Sequence, residues 1–136
     1  MNRTVNEQPE SSATRQRVET VRLTAVGKVF VRTEEDVAAV TDVSFISLRL
    51  ILPAIDRLLR PGGETVALIK PQFEAGRHDV GKGGVVRNAA TRQKVVERIR
   101  EFGCITLGWE WLGICQSPIQ GRAGNIEFLS YWRKPS

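Results

Sequence analysis

The sequence has 136 residues, of which 41% are hydrophobic and 26% charged, as is typical of one soluble globular domain. Its net charge of +5 favours anionic partners, nucleic acid first among them. No apolar run approaches the roughly 18 residues of a membrane span, and the polar N-terminus has no secretory core. The two cysteines, Cys104 and Cys115, lack metal-ligand spacing. We therefore expect a cytoplasmic protein with no membrane span and no metal site.

The first third of the chain gives the weakest signals. Residues 1–17 are polar and aperiodic, which predicts a disordered tail. Residues 18–32 carry β-branched residues around Gly27 and predict a hairpin or two short strands, although residues 18–35 match no family motif. The apolar run at residues 37–40 predicts a strand buried on both faces and ended by Thr41 and Asp42.

A strand, a helix and a second strand follow one another from residue 37 to residue 70. Pro53 limits how the helix begins, and residues 61–63 end it. Its apolar residues at helical spacing are Leu48, Ile51, Leu52, Ile55, Leu58 and Leu59. Residues 64–70 form the next apolar strand. A βαβ unit of this kind predicts two adjacent parallel strands with a right-handed crossover.

The last third predicts one more helix and an antiparallel strand pair. The helix covers residues 88–102, with Asn88 as N-cap and Gly103 as its stop. Its buried stripe is Val95, Val96, Ile99 and Phe102. Strands are predicted at residues 104–115 and 125–134, joined by a turn at 116–124. The fold class is therefore α/β, with parallel strands and one reversed terminal strand.

Three charged residues are predicted at one edge of this sheet. Asp42 follows the first parallel strand and Lys70 the second, and ligands of open α/β sheets bind beyond these carboxyl ends. Glu127 lies near the start of the reversed strand, which returns to the same edge. A single strand-end charge is usually just solvated, but the convergence of three favours a functional site.

Three stretches of the sequence resemble one family. They are TDVSFISL (41–48), the segment from LRPGGE to GGVVR (59–87), and SPI…GN…EFL (117–129). These motifs are similar to the C-terminal half of TlyA-type proteins, which are FtsJ-like S-adenosylmethionine-dependent ribose 2′-O-methyltransferases of ribosomal RNA, often labelled hemolysins. The resemblance runs over about residues 36–136. It implies the C-terminal half of a Rossmann-like methyltransferase sheet.

The resemblance also implies roles for individual residues. Asp42, Lys70 and Glu127 match three members of the family's Lys-Asp-Lys-Glu catalytic set, and Asp42, Val43 and Ser44 are implied near the cofactor. A lysine can take the proton of a ribose hydroxyl if burial or a neighbouring positive charge lowers its pKa. Asp42 and Glu127 would then position the amine and the hydroxyl.

The sequence departs from the family over its first 35 residues. The RNA-binding S4 domain, the first catalytic lysine and the glycine-rich cofactor motif are all missing from this sequence. The chain therefore resembles a partial methyltransferase, and S-adenosylmethionine binding by it alone is expected to be weak. Its partners are predicted to be ribosomal RNA or ribosomal subunits, and either a separate N-terminal half or a second copy docked at an exposed sheet edge. The alternatives are a catalytically inactive RNA-binding fragment and a hemolysin-labelled protein without methyltransferase activity.

The glycine-rich segment after Lys70 has two interpretations. It is either a flexible surface crossing or a lid whose Arg77, Lys82 and Arg87 meet RNA phosphates, which the resemblance favours. Trp109 and Trp111 are predicted to pack in the protein rather than to stack on bases.

Overall fold

The structure, a computed structural model, describes residues 18–23, 27–32 and 38–136. The predicted tail at residues 1–17 and residue 37 at the start of the predicted strand lie outside these residues. The strands are β1 (Val18–Leu23), β2 (Gly27–Arg32), β3 (Ala38–Val43), β4 (Glu64–Ile69), β5 (Glu110–Gln116) and β6 (Phe128–Arg133). The α-helices are α1 (Leu48–Leu58), α2 (Pro71–Glu74) and α3 (Ala89–Glu101).

The six strands form one sheet in the order β1-β2-β3-β4-β6-β5. β3 and β4 are adjacent and parallel, which confirms the predicted βαβ unit. β1 and β2 pair antiparallel, which confirms the predicted hairpin, and β2 also pairs antiparallel with β3. The reversed strand β6 lies between β4 and β5 and is antiparallel to both. The described sheet therefore has β1 and β5 at its two edges.

The core lies on one face of the sheet. Ala39 and Val43 of β3 and Ala67 and Ile69 of β4 are buried with the apolar side chains of α1 and α3. The prediction that residues 37–40 are buried on both faces is wrong, because Val40 is 44% exposed. β4 alternates in the same way, so both parallel strands have one covered and one open face.

Helix α1 begins at Leu48, five residues before Pro53, so Pro53 does not limit its start as predicted, and it ends at Leu58, ahead of the predicted stop at residues 61–63. The Ser47 hydroxyl accepts a hydrogen bond from the Arg49 amide, and the helix accommodates Pro53 in its second turn. Leu48, Ile51, Leu52, Ile55 and Leu59 are buried as predicted. Leu58 was predicted in the same stripe, but it is 46% exposed because it lies on the outer side of the last turn.

The helix that starts at Ala89 continues further than its sequence predicts. The Asn88 cap is confirmed by hydrogen bonds from the Ala90 and Thr91 amides. Gly103 does not end the helix, because residues Phe102–Thr106 continue it as a π-helical turn. The predicted strand at 104–115 is therefore wrong in its first half. Gly108, with a φ of 71°, is the residue at which the chain leaves the helix before β5.

Three tryptophans join this helix end to the sheet. The rings of Trp109 and Trp111 both meet the fully buried Trp132 edge to face, with centroids 6.0 and 4.5 Å away. The Trp109 indole N–H donates a 2.7 Å hydrogen bond to Asp56 on α1. The prediction that Trp109 and Trp111 serve packing is confirmed.

Candidate active site

Two charged side chains meet at the carboxyl ends of β3 and β4. The Lys70 Nζ lies 2.6 Å from Asp42 Oδ1 and donates a 3.0 Å hydrogen bond to Ser44 Oγ. The side chain of Lys70 is only 13% exposed, whereas that of Asp42 is 57% exposed. Lys70 is followed by Pro71, which opens helix α2 and so ends the strand at this point. The lysine amine is thus held between a carboxylate and a hydroxyl at the sheet edge.

Glu127 reaches the same edge from the reversed strand. It directly precedes β6, whose Phe128 pairs with Ile69 at the end of β4. Glu127 is 6% exposed, and its Oε1 accepts a 2.9 Å hydrogen bond from Gln72 Nε2. A Cβ atom on Gly121 would lie 2.7 Å from the carboxyl carbon of Glu127. Glycine at position 121 therefore leaves room for this carboxylate, which a larger residue would displace.

The three predicted catalytic residues line one open cleft of about 410 Å³. The other residues lining it are mostly apolar: Val40, Thr41, Val66, Leu68, Ser117, Pro118, Ile119 and Leu129. Four of these, Val40, Val66, Leu68 and Leu129, belong to the open face of the sheet. Two carboxylates and one lysine in a mostly apolar cleft suit a ligand that combines a positive charge with an apolar body.

The residues implied near the cofactor differ in what they can offer. Val43 is 2% exposed and its side chain is part of the core, so only its backbone can face a ligand. Ser44 Oγ accepts a hydrogen bond from Lys70, and Asp42 is the most open of the three. Within the described residues, Gln72 Oε1 is buried and has no hydrogen-bond partner. The carboxylates of Asp42 and Glu127 outnumber the one lysine in the cleft, so its lining fits a cationic ligand, whereas Gln72 does not belong to that lining.

Glu74 anchors the short helix that follows Lys70. Its carboxylate accepts hydrogen bonds of 2.7 Å from the Ser47 hydroxyl and from the Leu48 amide, at the start of α1. Burial raises the pKa of Glu74, and the hydrogen bonds from Leu48 and Ser47 partly offset that rise. α2 is thereby tied to α1 immediately beside the cleft.

The sequence interpretation missed an aromatic pair at this edge. Phe45 has a left-handed backbone, with φ of 62°, and its side chain is 77% exposed. Its ring centroid lies 4.8 Å from that of Phe73 in α2. A left-handed phenylalanine is uncommon and has no sequence signature. The hydrogen bond between Gln72 and Glu127 was also missed, because it joins two separate segments of the chain.

The predicted RNA-contacting cations lie on the glycine-rich segment between α2 and α3. Arg77, Lys82 and Arg87 are all exposed there. Gly83 and Gly84 have φ values of 81° and 77°, which explains why the turn uses glycine at both positions. Gly81 and Val85 form an isolated β-bridge across that turn. The segment is therefore an internally hydrogen-bonded turn rather than an unstructured crossing.

Comparison with known families identifies one match over almost the whole chain. The model of the FtsJ-like methyltransferases matches residues 6–134. This range includes the residues at both carboxyl strand ends and the glycine-rich segment.

Individual relatives match the C-terminal part of the chain. A Bacillus subtilis protein named as an rRNA methyltransferase, YqxC, is 50% identical over 97 residues, which are 71% of this chain and 34% of the relative. The 16S/23S rRNA (cytidine-2′-O)-methyltransferase TlyA of Mycobacterium tuberculosis is 40% identical over 98 residues, covering 69% of this chain and 35% of the relative. Hemolysin A of Brachyspira hyodysenteriae is 43% identical over 93 residues, covering 68% and 38%.

A solved structure has the same fold. A Streptococcus thermophilus protein named as a hemolysin superposes with a TM-score of 0.69 at 49% identity, over 73% of this chain and 35% of that one. The chain spans about a third of the length of the curated relatives it matches. The family model, the relatives and the shared fold agree, and the chain belongs to the FtsJ-like methyltransferase family.

Proposed function

We propose that this chain supplies the catalytic edge of an S-adenosylmethionine-dependent ribose 2′-O-methyltransferase that acts on ribosomal RNA. The observation that carries the proposal is the Lys70 amine, held 2.6 Å from Asp42 and lining one cleft with Glu127. The family, and the rRNA 2′-O-methyltransferase activity for which the Mycobacterium tuberculosis relative is named, support it.

Lys70 is proposed to accept the proton of the ribose 2′-hydroxyl while the hydroxyl oxygen forms a bond to the methyl carbon of the cofactor. The methyl group would come from the sulfonium of bound S-adenosylmethionine, whose sulfur would keep the bonding electron pair. Asp42 and Ser44 fix the direction of the Lys70 amine through the contacts described above. Glu127, whose carboxylate is oriented by Gln72, is proposed to position the ribose in the cleft, while the single hydrogen of the hydroxyl is directed to the Lys70 amine.

The cofactor is proposed to lie beside Asp42, Val43 and Ser44. The exposed Asp42 carboxylate would attract its positive charge, and the backbone of Val43 and Ser44 would line its path. The resemblance implies that residues 1–35 lack counterparts of the family's glycine-rich motif and first lysine. We therefore propose that this chain alone binds S-adenosylmethionine weakly.

A complementary half is proposed to cover the open sheet face. Val40 and Tyr131 are 44% and 38% exposed on that face, and Val66, Leu68 and Leu129 lie between them, partly exposed. Either a separate N-terminal half or a second copy of this chain could supply the cover. Because β2 pairs with β3, a second copy joining edge to edge would have to use β1 or β5.

Activity should therefore be measured in a complete context. The chimera is the Bacillus subtilis relative in which the matching 97 residues are exchanged for those of this chain. We expect it to transfer labelled methyl groups to ribosomal subunits. The intact relative is the positive control. Calorimetry should show no micromolar S-adenosylmethionine binding by the chain alone and clear binding by the chimera. A chimera that folds and binds the cofactor but transfers no methyl group would contradict the proposal.

The second candidate is an RNA-contacting protein without catalysis of its own. The exposed cations Arg77, Lys82 and Arg87 favour it, because cations can bind RNA phosphates without any cofactor. RNA binding by the chain, together with an inactive chimera, would select this candidate. The hemolysin name comes from relatives alone, and in the described residues no helix is long and apolar enough to cross a membrane. A cytoplasmic location, where ribosomal RNA is modified, is part of the proposal.

A further inference from the structure

Asn125 joins two loops that are far apart in the sequence. Its Nδ2 donates hydrogen bonds of 2.9 Å to the Gly84 carbonyl and 3.0 Å to the Arg122 carbonyl. Its Oδ1 accepts a 3.0 Å hydrogen bond from the Val86 amide. The residue is 3% exposed, so these bonds form away from water and are costly to lose.

The two loops that Asn125 joins carry exposed cations. Lys82 and Arg87 lie on the glycine-rich turn, and Arg122 lies on the loop before β6. The Gly84 and Arg122 carbonyl oxygens are both about 3 Å from one nitrogen, which places the backbones of the two loops side by side. Among the residues that the structure describes, none of the three cations forms a salt bridge with a carboxylate.

The same loop also sets the position of Glu127. The backbone carbonyl of Asn125 accepts a 2.8 Å hydrogen bond from the amide of Gly121, the glycine that leaves room for the Glu127 carboxylate. The short turn between them includes Ala123 in the left-handed region, with φ of 59°. A shift of Asn125 would therefore move both a cationic loop and the residues next to the cleft.

We infer that Asn125 is a positioning residue that assembles Lys82, Arg87 and Arg122 into one phosphate-binding surface beside the cleft. Arg122 is a new member of this surface. The inference deepens the proposed function, since it rests on RNA as the partner. Two loops without hydrogen bonds between them would hold their cations at variable distances. Loops joined through the buried Asn125 amide hold them at a fixed spacing.

The test is RNA binding at several salt concentrations, which needs no methyl transfer. The probe is a fluorescein-labelled single-stranded cytidine RNA of about 12 nucleotides, long enough to follow a basic groove. Arg122→Gln should flatten the dependence of log K on log [NaCl] by about 0.7, the value for one phosphate contact to a single strand. The matched control is Arg60→Gln, which removes the same charge from an exposed residue. Arg60 lies before the start of β4, whereas the cleft lies beyond the end of that strand.

Asn125→Ser tests positioning without changing the net charge. Serine keeps a small hydrogen-bonding side chain, but its single hydroxyl cannot replace the two hydrogen bonds that the amide donates to the Gly84 and Arg122 carbonyls. We expect it to flatten the salt dependence by about 1.4, as for two lost contacts, and adding Arg122→Gln should then have little further effect. A thermal melt of each variant checks that it is folded. If Asn125→Ser does not fold, Asn125→Gln, which keeps a neutral amide but displaces it by one methylene, takes its place.

Three results would overturn the inference. Arg60→Gln and Arg122→Gln could flatten the slope equally, which would mean that only net charge matters. A folded Asn125 variant could keep the wild-type slope, which would remove its positioning role. Wild-type binding without salt dependence would refute both the surface and RNA as the partner. An inactive chimera with this binding pattern intact would instead remove the proposed reaction and leave the surface standing.

Discussion

Replacing Gly103 by alanine should destabilise the fold, although the change improves helix propensity. Gly103 is buried in the π-helical turn after α3, and an added Cβ would lie 2.5 Å from the Cη2 atom of Trp132. Ordinary carbon contacts are about 3.5–4.0 Å, so one of the two must move by about 1 Å. Trp132 has little freedom to do so, because it is fully buried and its indole N–H donates to Ser130 Oγ.

The size of the effect follows from two opposing contributions. Overpacking a rigid core usually costs about 1–3 kcal/mol, whereas replacing glycine within a helix gains up to about 1 kcal/mol. We expect a net loss of about 1–2 kcal/mol, which lowers the melting temperature by roughly 4–8 °C for a chain of this size. Gly113→Ala is the control, because a Cβ there meets no atom within 4 Å. A Gly103→Ala variant as stable as the wild type in denaturant titrations would show that the Trp132 contact is wrong.

Two further predictions concern stability. Because burial raises the pKa of Glu74, the folded chain holds that proton more tightly than the unfolded chain, and wild-type stability should fall relative to Glu74→Gln as pH rises above 4.5. Urea titrations between about pH 4 and 8 measure this. A wild type that becomes more stable relative to Glu74→Gln as pH rises would contradict the sign. Trp109→Phe loses the hydrogen bond to Asp56 and should cost about 1–3 kcal/mol, more than Trp111→Phe, whose indole donates to no side chain among the described residues. Equal costs would refute the importance of that bond.

The parts of the fold that follow from local patterns were predictable from the sequence. The N-caps Ser47 and Asn88 and the parallel pairing of β3 and β4 each have a signal in a few neighbouring residues. The end of α3 was not predictable in this way, since Gly103 is there to make room for Trp132, which lies far along the chain. The exposed side of β3 was also missed, because an apolar run does not reveal whether a second layer covers it.

The candidate site shows the same division. Strand direction alone predicts that Asp42, Lys70 and Glu127 approach one edge, and the structure brings the first two into contact. The contacts of Asn125 and Gln72 depend on how separate loops meet in space. Sequence spacing carries no information about such contacts, so these supporting residues were found only in the structure.

Lys70 provides the most direct test of the proposed chemistry. In the chimera with the Bacillus subtilis relative, initial rates of methyl transfer to ribosomal subunits should be compared for the parent, Lys70→Ala and Lys70→Arg. An arginine keeps the positive charge but cannot give up its proton near neutral pH, so it cannot accept one from the hydroxyl. We predict that both variants lose at least about 100-fold in rate, the scale of a missing general base, while cofactor binding is kept. Near-parental transfer by Lys70→Arg would contradict the account and would leave Lys70 with an electrostatic role only.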